Sequence, residues 1–258
     1  MQITSWNVNS LKVRLPQVEA FLEDHQPDLL CLQETKLPDE RFPTEALHAR
    51  GYTALYHGQS AYNGVAMLSR GVLGDPECGL ADGDAQPQAR LCAASHGALR
   101  VVNVYVPNGQ ALDSDKYAYK LRWLAALRDY LRDALMRWPQ LVVLGDFNIA
   151  PAASDVFDAE AWGEDILCSP PERAALRSLE ELGLVDAYRA LHPEGREFTW
   201  WDYRAAGFRR DRGLRIDLIL VSTALWPQVR RVVVHREQRA VERPSDHAPV
   251  SLFLEQTP

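Results

Sequence analysis

Along the 258 residues, short apolar runs rich in β-branched side chains are interspersed with stretches in which apolar residues recur every three or four positions. The runs QITSW (2–6), DLLCLQ (28–33), GVAMLS (64–69), LRVVNVYV (99–106), LVVLGD (141–146), LRIDLILVS (214–222), VRRVVVH (229–235) and APVSLFL (248–254) predict strands. LVVLGD is apolar enough for a strand buried on both faces. Helical spacing predicts a helix over 16–25, with Pro16 at its first position, and a long one over 115–137, where Leu121, Leu124, Leu127, Leu131 and Leu135 fall three or four apart. A third is predicted over 171–182, ending before Gly183. Strands and helices mix without strict alternation, which favours a layered α/β sandwich over a simple doubly wound parallel sheet. No repeat, low-complexity tract or linker interrupts the pattern, so one domain over 1–258 is expected.

Five of the apolar runs end or break at acids, amides or histidine: WNVN, LQET, GDFN, RID and PSDH. The side chains concerned are Asn7, Glu34, Asp146, Asn148, Asp217, Asp246 and His247. Any one of these places reads as a turn or a helix cap, because Asp and Asn are depleted within strands and favoured in turns. Taken together they carry more weight, since strand ends in a layered fold gather on one edge and bring their side chains into one cleft. Oxygen ligands of this kind suit a hard divalent cation, and Mg²⁺ is typically held by one or two carboxylates with water and substrate phosphate. No Cys/His cluster has zinc-site spacing, and neither a GxxxxGK[ST] loop nor a GxSxG elbow occurs.

Composition adjusts this picture in three ways. With 47% hydrophobic and 24% charged residues the chain has the material for a sizeable core. The formal charge of −7 disfavours a uniformly basic surface that coats nucleic acid, yet Arg204, Arg209, Arg210, Arg212 and Arg215 crowd one stretch near Trp200 and Phe208. The N-terminus MQITSWNV has no basic, then apolar, leader pattern, and no run approaches the roughly 18 apolar residues that span a bilayer, so a cytoplasmic protein is expected. Cys31, Cys78, Cys92 and Cys168 show no CxxC spacing and are expected to be reduced.

At these polar strand ends the chain resembles the exonuclease III family of Mg²⁺-dependent apurinic/apyrimidinic endonucleases, within the wider group that includes DNase I, sphingomyelinases and inositol polyphosphate phosphatases. The likeness runs through WNVNSLK (6–12), LQETK (32–36), YHG (56–58), NVYVPNG (103–109), GDFNIAP (145–151), WWDYR (200–204), RGLRIDLIL (212–220) and PSDHAPV (244–250). GDFN and SDHAP indicate the broad group, whereas WWDYR with RGLRID points to its DNA-repair branch. The resemblance implies a DNase I-like fold, a four-layered sandwich of two mixed β-sheets packed face to face and flanked by helices.

It also implies roles. Glu34 is the principal metal ligand, with Asn7 beside it and Asp246 and His247 close by, while Asp146 and Asn148 take a second or shifting ion. Asp146 orients or deprotonates the attacking water, Asn148 stabilises charge on phosphorus oxygens, Asp217 fixes the tautomer of His247, and Tyr105 contacts the scissile phosphate. Whether one or two ions act, and which residue activates water, stays open. Trp200 lines the pocket for an abasic sugar, with Phe208, Arg90, Arg204, Arg209 and Arg212 as further DNA contacts. The implied protein is a monomer that uses Mg²⁺, with Mn²⁺ as substitute. It incises duplex DNA 5′ to abasic sites to leave a 3′-hydroxyl, and cleans blocked 3′ ends by 3′-phosphatase, 3′-phosphodiesterase and 3′→5′ exonuclease action. Two other readings differ in substrate or class. A lipid or inositol phosphatase is disfavoured by WWDYR and RGLRID, and a nucleic-acid-binding regulator without catalysis is disfavoured by the intact acids, amide and histidine.

Overall fold

Two six-stranded sheets face each other across an apolar interior in the computed structural model, which describes residues 1–84 and 87–255. The first sheet contains β1 (Gln2–Asn7), β2 (Leu29–Gln33), β3 (Thr53–His57), β4 (Val65–Ser69), β13 (Val229–Val234) and β14 (Val250–Leu254), in the order β13-β14-β1-β2-β4-β3. The second contains β5 (Gly74–Cys78), β6 (Leu91–His96), β7 (Leu99–Tyr105), β8 (Leu141–Asp146), β9 (Leu184–Asp186) and β12 (Asp217–Ser222), in the order β5-β6-β7-β8-β12-β9. A separate two-stranded ribbon pairs β10 (Trp200–Trp201) with β11 (Gly213–Leu214). Both large sheets are mixed: β1 and β2 are parallel, as are β7 and β8, and the other pairings are antiparallel.

Side-chain alternation assigns each strand's two faces. In β2, Leu29 and Cys31 enter the space between the sheets, while Leu30 and Leu32 meet Val18, Phe21 and Leu22 of α1 (Leu11–His25) and Leu47 of α2 (Thr44–His48). In β8, Val142 and Leu144 point inward, while Leu141 and Val143 pack under Leu124, Leu127 and Leu131 of α3 (Asp115–Arg137). Leu176 and Leu179 of α5 (Pro170–Glu180) complete that outer layer, with α4 (Ala159–Trp162) and α6 (Ala187–Leu191) as short connectors. The result is the four-layered α/β sandwich expected from the sequence, and LVVLGD is buried on both faces.

A group of buried amides crosses the largely apolar gap. Asn103 of β7 has no exposed surface, and its Nδ2 donates to Leu32 O (3.0 Å) and Ala66 O (2.9 Å) of the opposite sheet. Gln33, equally buried, donates through Nε2 to Asn103 Oδ1 at 2.8 Å and to Ser5 Oγ at 3.1 Å. A shift of one sheet over the other would orphan these groups in a low-dielectric interior, so the contacts fix the sheets' relative position.

The structure departs from the sequence reading at several elements. The first helix begins at Leu11, not Pro16, and Pro16 lies inside it. The extra turn is held by the loop that follows β2: Ser10 N donates to Glu34 O and Leu11 N to Thr35 O, and Leu11 is fully buried. The strands β3, β5, β6 and β9 carry weak intrinsic signals; β6, LCAASH, has no β-branched residue, and β5, GDPEC, carries a proline at a sheet edge. Cross-strand pairing supplies what propensity does not. The run over 214–222 divides into β11 and β12, and no helix among the described residues is long and apolar enough to cross a membrane.

Replacing Asn103 with Leu keeps the volume but removes donors from two carbonyls and a partner from Gln33, so an expected loss of about 3 kcal/mol follows from the cost of unsatisfied buried groups. Urea unfolding reads this as a lower midpoint at unchanged slope; a midpoint equal to wild type would show that the cross-sheet amides contribute nothing.

Candidate active site

Strand register places the polar residues in two facing rows. Asn7 and Gln33 are register partners at the ends of β1 and β2, and Glu34 follows directly. Across the gap, Tyr105, Asp146 and Asp217 are successive register partners on β7, β8 and β12, with β12 running antiparallel so that its beginning meets the end of β8. His247 reaches the same edge just before β14, where it bridges to Trp200. The backbone is unusual here. Asn9 (φ 43°), Glu34 (φ 53°), Lys36 (φ 54°) and Asn148 (φ 51°) all adopt left-handed conformations, whose cost the surrounding hydrogen bonds must offset. Gly145 sits at φ 146°, where a Cβ would lie 1.9 Å from Val104 O, so only glycine lets β8 deliver Asp146 beside β7.

The side chains form a connected network. Asn7 Nδ2 donates to Glu34 Oε1 (2.8 Å) and to Asp146 Oδ2 (2.9 Å), while Asn7 Oδ1 accepts from Asn9 N–H (3.0 Å). Asp146 Oδ1 accepts from Asn148 N–H at 2.9 Å, and Asn148 Oδ1 accepts from Asn108 Nδ2 at 3.0 Å. His247 Nδ1 lies 2.8 Å from Asp217 Oδ2, which leaves Nε2 facing Asp146 Oδ2 at 3.8 Å. Glu34 acts electrostatically on the Tyr105 hydroxyl, and the Arg90 guanidinium lies 4.7 Å from its ring centre.

These groups share little water. Burial, together with the nearby charges of Asp217 and Glu34, raises the Asp146 carboxyl to about 7, against the opposing pull of His247 and the Asn7 hydrogen bond. Burial would lower the imidazole of His247, but Asp217 and Asp146 more than reverse this and raise it to about 10. Burial and the charges of Glu34 and Asp146 hold the Tyr105 hydroxyl well above its usual range.

Ligand atoms of Glu34, Asp146 and His247 lie within 4.8 Å of one another, and Asp146, raised first by burial and then by Asp217 and Glu34, is a carboxylate that a bound cation would stabilise in its charged form. The carboxylate oxygens of Glu34 and Asp146 fit a hard divalent metal, whereas His247, raised and held by Asp217, keeps its proton. Asn7 presents its amide nitrogen rather than its oxygen to the carboxylates, so it links them in this arrangement. Asp246 stands slightly apart, accepting from Asn9 Nδ2 (2.9 Å) and Trp200 Nε1 (3.0 Å).

The expected DNA contacts are scattered more widely. Trp200 is half-buried at the cleft's edge. Arg90 is nearly buried and pins Tyr105, donating to Tyr105 O at 3.2 Å. It also lines an open groove of ≈ 640 Å³ with Gln59, Gln88, Asn108 and Lys116. Arg204 is exposed and paired with Asp202, and Arg209 and Arg212 are exposed on the same loop. Phe208 packs edge-on against Trp201 with ring centres 5.2 Å apart, covering a small apolar cluster.

Several contributors had no role assigned from the sequence. Lys36 pairs with Glu34 Oε2 (2.8 Å) and donates to Asn9 Oδ1 (2.6 Å). Thr199 Oγ1 accepts from the amides of Ile216 and Asp217, and Ser245 Oγ donates to Asn7 O. Fully buried Lys120 donates to Asn148 O (2.7 Å) and pairs with Glu172, anchoring the strained turn after Asp146. Asn9 and Lys36 had a signal available: each lies two residues beyond a polar strand end.

Proteins of known activity resemble this chain over its whole length. The pattern of the endonuclease/exonuclease/phosphatase family matches residues 4–247. Exodeoxyribonuclease III of Haemophilus influenzae is 37% identical over 262 residues, which cover 97% of this chain and 98% of that protein. Among solved structures, a Neisseria 3′ phosphatase bound to product DNA hairpin superposes with a TM-score of 0.97 at 51% identity, covering 99% of this chain and 100% of that one. An AP endonuclease from Archaeoglobus fulgidus gives 0.93 at 36% identity, with 99% and 100% covered.

In metal-free protein both raised groups favour folding while protonated. The Asp146 contribution is complete below its ordinary value of 3.8 and is lost as pH rises through about 7; that of His247 is complete below 6.5 and is lost as pH rises through about 10. In EDTA, urea midpoints are therefore expected to fall from about pH 6 to about pH 9.5, and Asp217→Asn should flatten the alkaline part of that fall. A variant whose midpoints track wild type in parallel would show that Asp217 does not hold the imidazolium.

Proposed function

The chain belongs to the endonuclease/exonuclease/phosphatase family, and from that membership we propose a DNA-repair nuclease that hydrolyses the phosphodiester 5′ to an abasic site in duplex DNA. It leaves a 3′-hydroxyl and also removes 3′ blocks as phosphatase, phosphodiesterase and 3′→5′ exonuclease, with residues 1–258 acting as one catalytic unit. The observation that carries this reading is the convergence of Glu34, Asp146 and His247 at one sheet edge, backed by Asp217 and Tyr105, in a chain similar throughout to exodeoxyribonuclease III.

The Glu34 and Asp146 carboxylates would hold Mg²⁺ or Mn²⁺, with Asn7, Asn148 and Asp246 as further oxygen donors, while His247, whose Nδ1 is held by Asp217, would stay protonated and serve the phosphate rather than the metal. Once bound, the cation neutralises non-bridging phosphate oxygens and eases departure of the leaving oxygen. Asp146 orients the attacking water and takes its proton. His247, charged through its contact with Asp217, donates toward a phosphate oxygen from Nε2, and Asn148 and the Tyr105 hydroxyl stabilise the remaining charge. Holding these groups on strand ends keeps reorganisation small when substrate arrives.

Trp200 beside Asp246 is placed to border the pocket for the abasic sugar. Arg90, Arg204, Arg209 and Arg212, with Phe208 on the same loop as the last three, would contact backbone phosphates, as positioning contacts do in DNA complexes. The same reading makes the protein a cytoplasmic monomer that acts on duplex DNA with abasic sites or blocked 3′ ends.

Single-turnover cleavage of a duplex carrying one tetrahydrofuran analogue tests this directly. Incision 5′ to the analogue with Mg²⁺ and none with EDTA is expected, with release of phosphate from a 3′-phosphate duplex. Asp146→Asn should slow incision by about 10³-fold, the scale of a lost general base, while anisotropy reads DNA affinity within a few-fold of wild type. Phosphate release without incision would restrict the enzyme to 3′ ends, and no reaction on either duplex would refute the reading.

A further inference from the structure

A second group of metal-ligand side chains lies outside the cleft, on the outer face of the first sheet. His25, in the last turn of α1, meets His235, which follows β13, with ring centres 4.7 Å apart, and Glu237 closes the group. Ligand atoms of all three lie within 4.8 Å of one another. We propose that His25, His235 and Glu237 bind a borderline divalent cation of the Zn²⁺ type, at a site separate from the carboxylate cluster.

The surroundings of His235 favour metal over a plain ion pair. Its ring is buried, and Nε2 lies 2.8 Å from Ser251 Oγ, itself held by Thr4 Oγ1 (2.7 Å) and Gln2 Nε2 (3.1 Å). With Ser251 Oγ accepting from Nε2–H, Nδ1 keeps its lone pair, which is how the outer hydrogen bond of a metal-bound histidine sets its tautomer. Nδ1 then faces Glu237 Oε1 at 3.2 Å. In that tautomer Nδ1 and the Glu237 carboxylate both offer lone pairs, and their spacing matches the edge, about 3.3 Å, of a tetrahedral shell with bonds near 2.05 Å. Burial and the proximity of His25 both lower the His235 imidazole, which keeps it neutral and able to ligate.

Two imidazoles and one carboxylate select a different ion from the catalytic cluster. Mg²⁺ prefers oxygen, whereas imidazole nitrogen suits zinc, copper or nickel, and three protein ligands leave a fourth position for water. Phe21 packs against both rings, with centres 4.3 Å from His25 and 5.1 Å from His235, so the pair is held together before metal arrives. Glu237 is exposed and leaves the site open to solvent.

The placement gives the site a mechanical role. From His235 the chain runs back along α1: Gln17 donates to the carbonyls of Glu242 and Arg243, and Arg14 to that of Pro244. It then enters Ser245, Asp246 and His247. A cation at His25 would fasten the far end of this strap, eleven residues or roughly 16 Å along the helix from Arg14.

The test uses the full chain in excess Mg²⁺ with Zn²⁺ as probe, titrated against a chromophoric chelator, and Co²⁺ to report geometry by visible absorption. One retained equivalent of Zn²⁺, a tetrahedral Co²⁺ spectrum and a rise in Tm with Zn²⁺ are expected. His25→Ala and Glu237→Gln, at half-buried and exposed positions, should each weaken binding by at least about tenfold and abolish the Tm rise, with Mg²⁺-dependent cleavage unchanged. Glu34→Gln should keep the equivalent. Zn²⁺ binding that survives His25→Ala, that disappears in Glu34→Gln, or that fails to appear in wild type would overturn the proposal and leave the three residues as an aromatic packing cluster.

Discussion

Asn103 and Gln33 exchange a hydrogen bond across the gap between the two sheets at 2.8 Å, and neither has any exposed surface. Every other feature of the cleft is referenced to that contact. Gln33 immediately precedes Glu34, and Asn103 lies two residues before Tyr105 on the same inward face of β7. The clasp therefore sets the separation of the two rows that meet above it. Apolar side chains fill the rest of the gap and are indifferent to small slips, because dispersion and burial have no preferred direction. Buried amides do have one, and a slip would cost them their partners.

Above the clasp, the site concentrates carboxylates where water is scarce. Asp146 is the focus, with Asp217 beside it in register, Glu34 opposite and His247 between. The chain compensates only in part. Asn7 joins Glu34 to Asp146 through its amide, Lys36 neutralises one face of Glu34, and His247 carries a charge that Asp217 holds. Burial, reinforced by Asp217 and Glu34, raises the Asp146 carboxyl, and a cation would favour its charged form. Left-handed backbone at Glu34 and Asn148 belongs to the same design, since each turns a strand end sharply enough to aim its side chain into the cleft.

Support for the site extends well beyond the residues that would touch phosphate. Lys120 holds the carbonyl of Asn148 from within the helical layer, and Thr199 holds the amides at the start of β12. The strap from His235 to Pro244 is bonded along α1, and it delivers Asp246 and His247. Each cleft side chain is thus fixed from behind by a partner on a different element, which suits a site that must hold its geometry when substrate arrives.

What could be read in the amino-acid sequence was what is local or repetitive. The runs of β1, β2, β4, β7, β8, β12, β13 and β14 declared themselves through their apolar and β-branched content taken together, and α3 through leucines three and four apart. Polar residues at Asn7, Glu34, Asp146, Asn148, Asp217 and His247 stood out because five such places recur along one chain, and the motifs around them pointed to phosphodiester chemistry. The elements β3, β5, β6 and β9 were not legible, since their pairing depends on partners distant in the chain rather than on their own residues. The same holds for the first turn of α1, fixed by carbonyls of residues 34 and 35. Only the folded chain could decide that Arg90 stacks on Tyr105, that Phe208 covers Trp201, that Asp246 leans on Asn9 and Trp200, and that His25 meets His235. A sequence records which groups exist and their local period, but distance between remote residues is set by sheet register and by the buried amides that lock one sheet against the other.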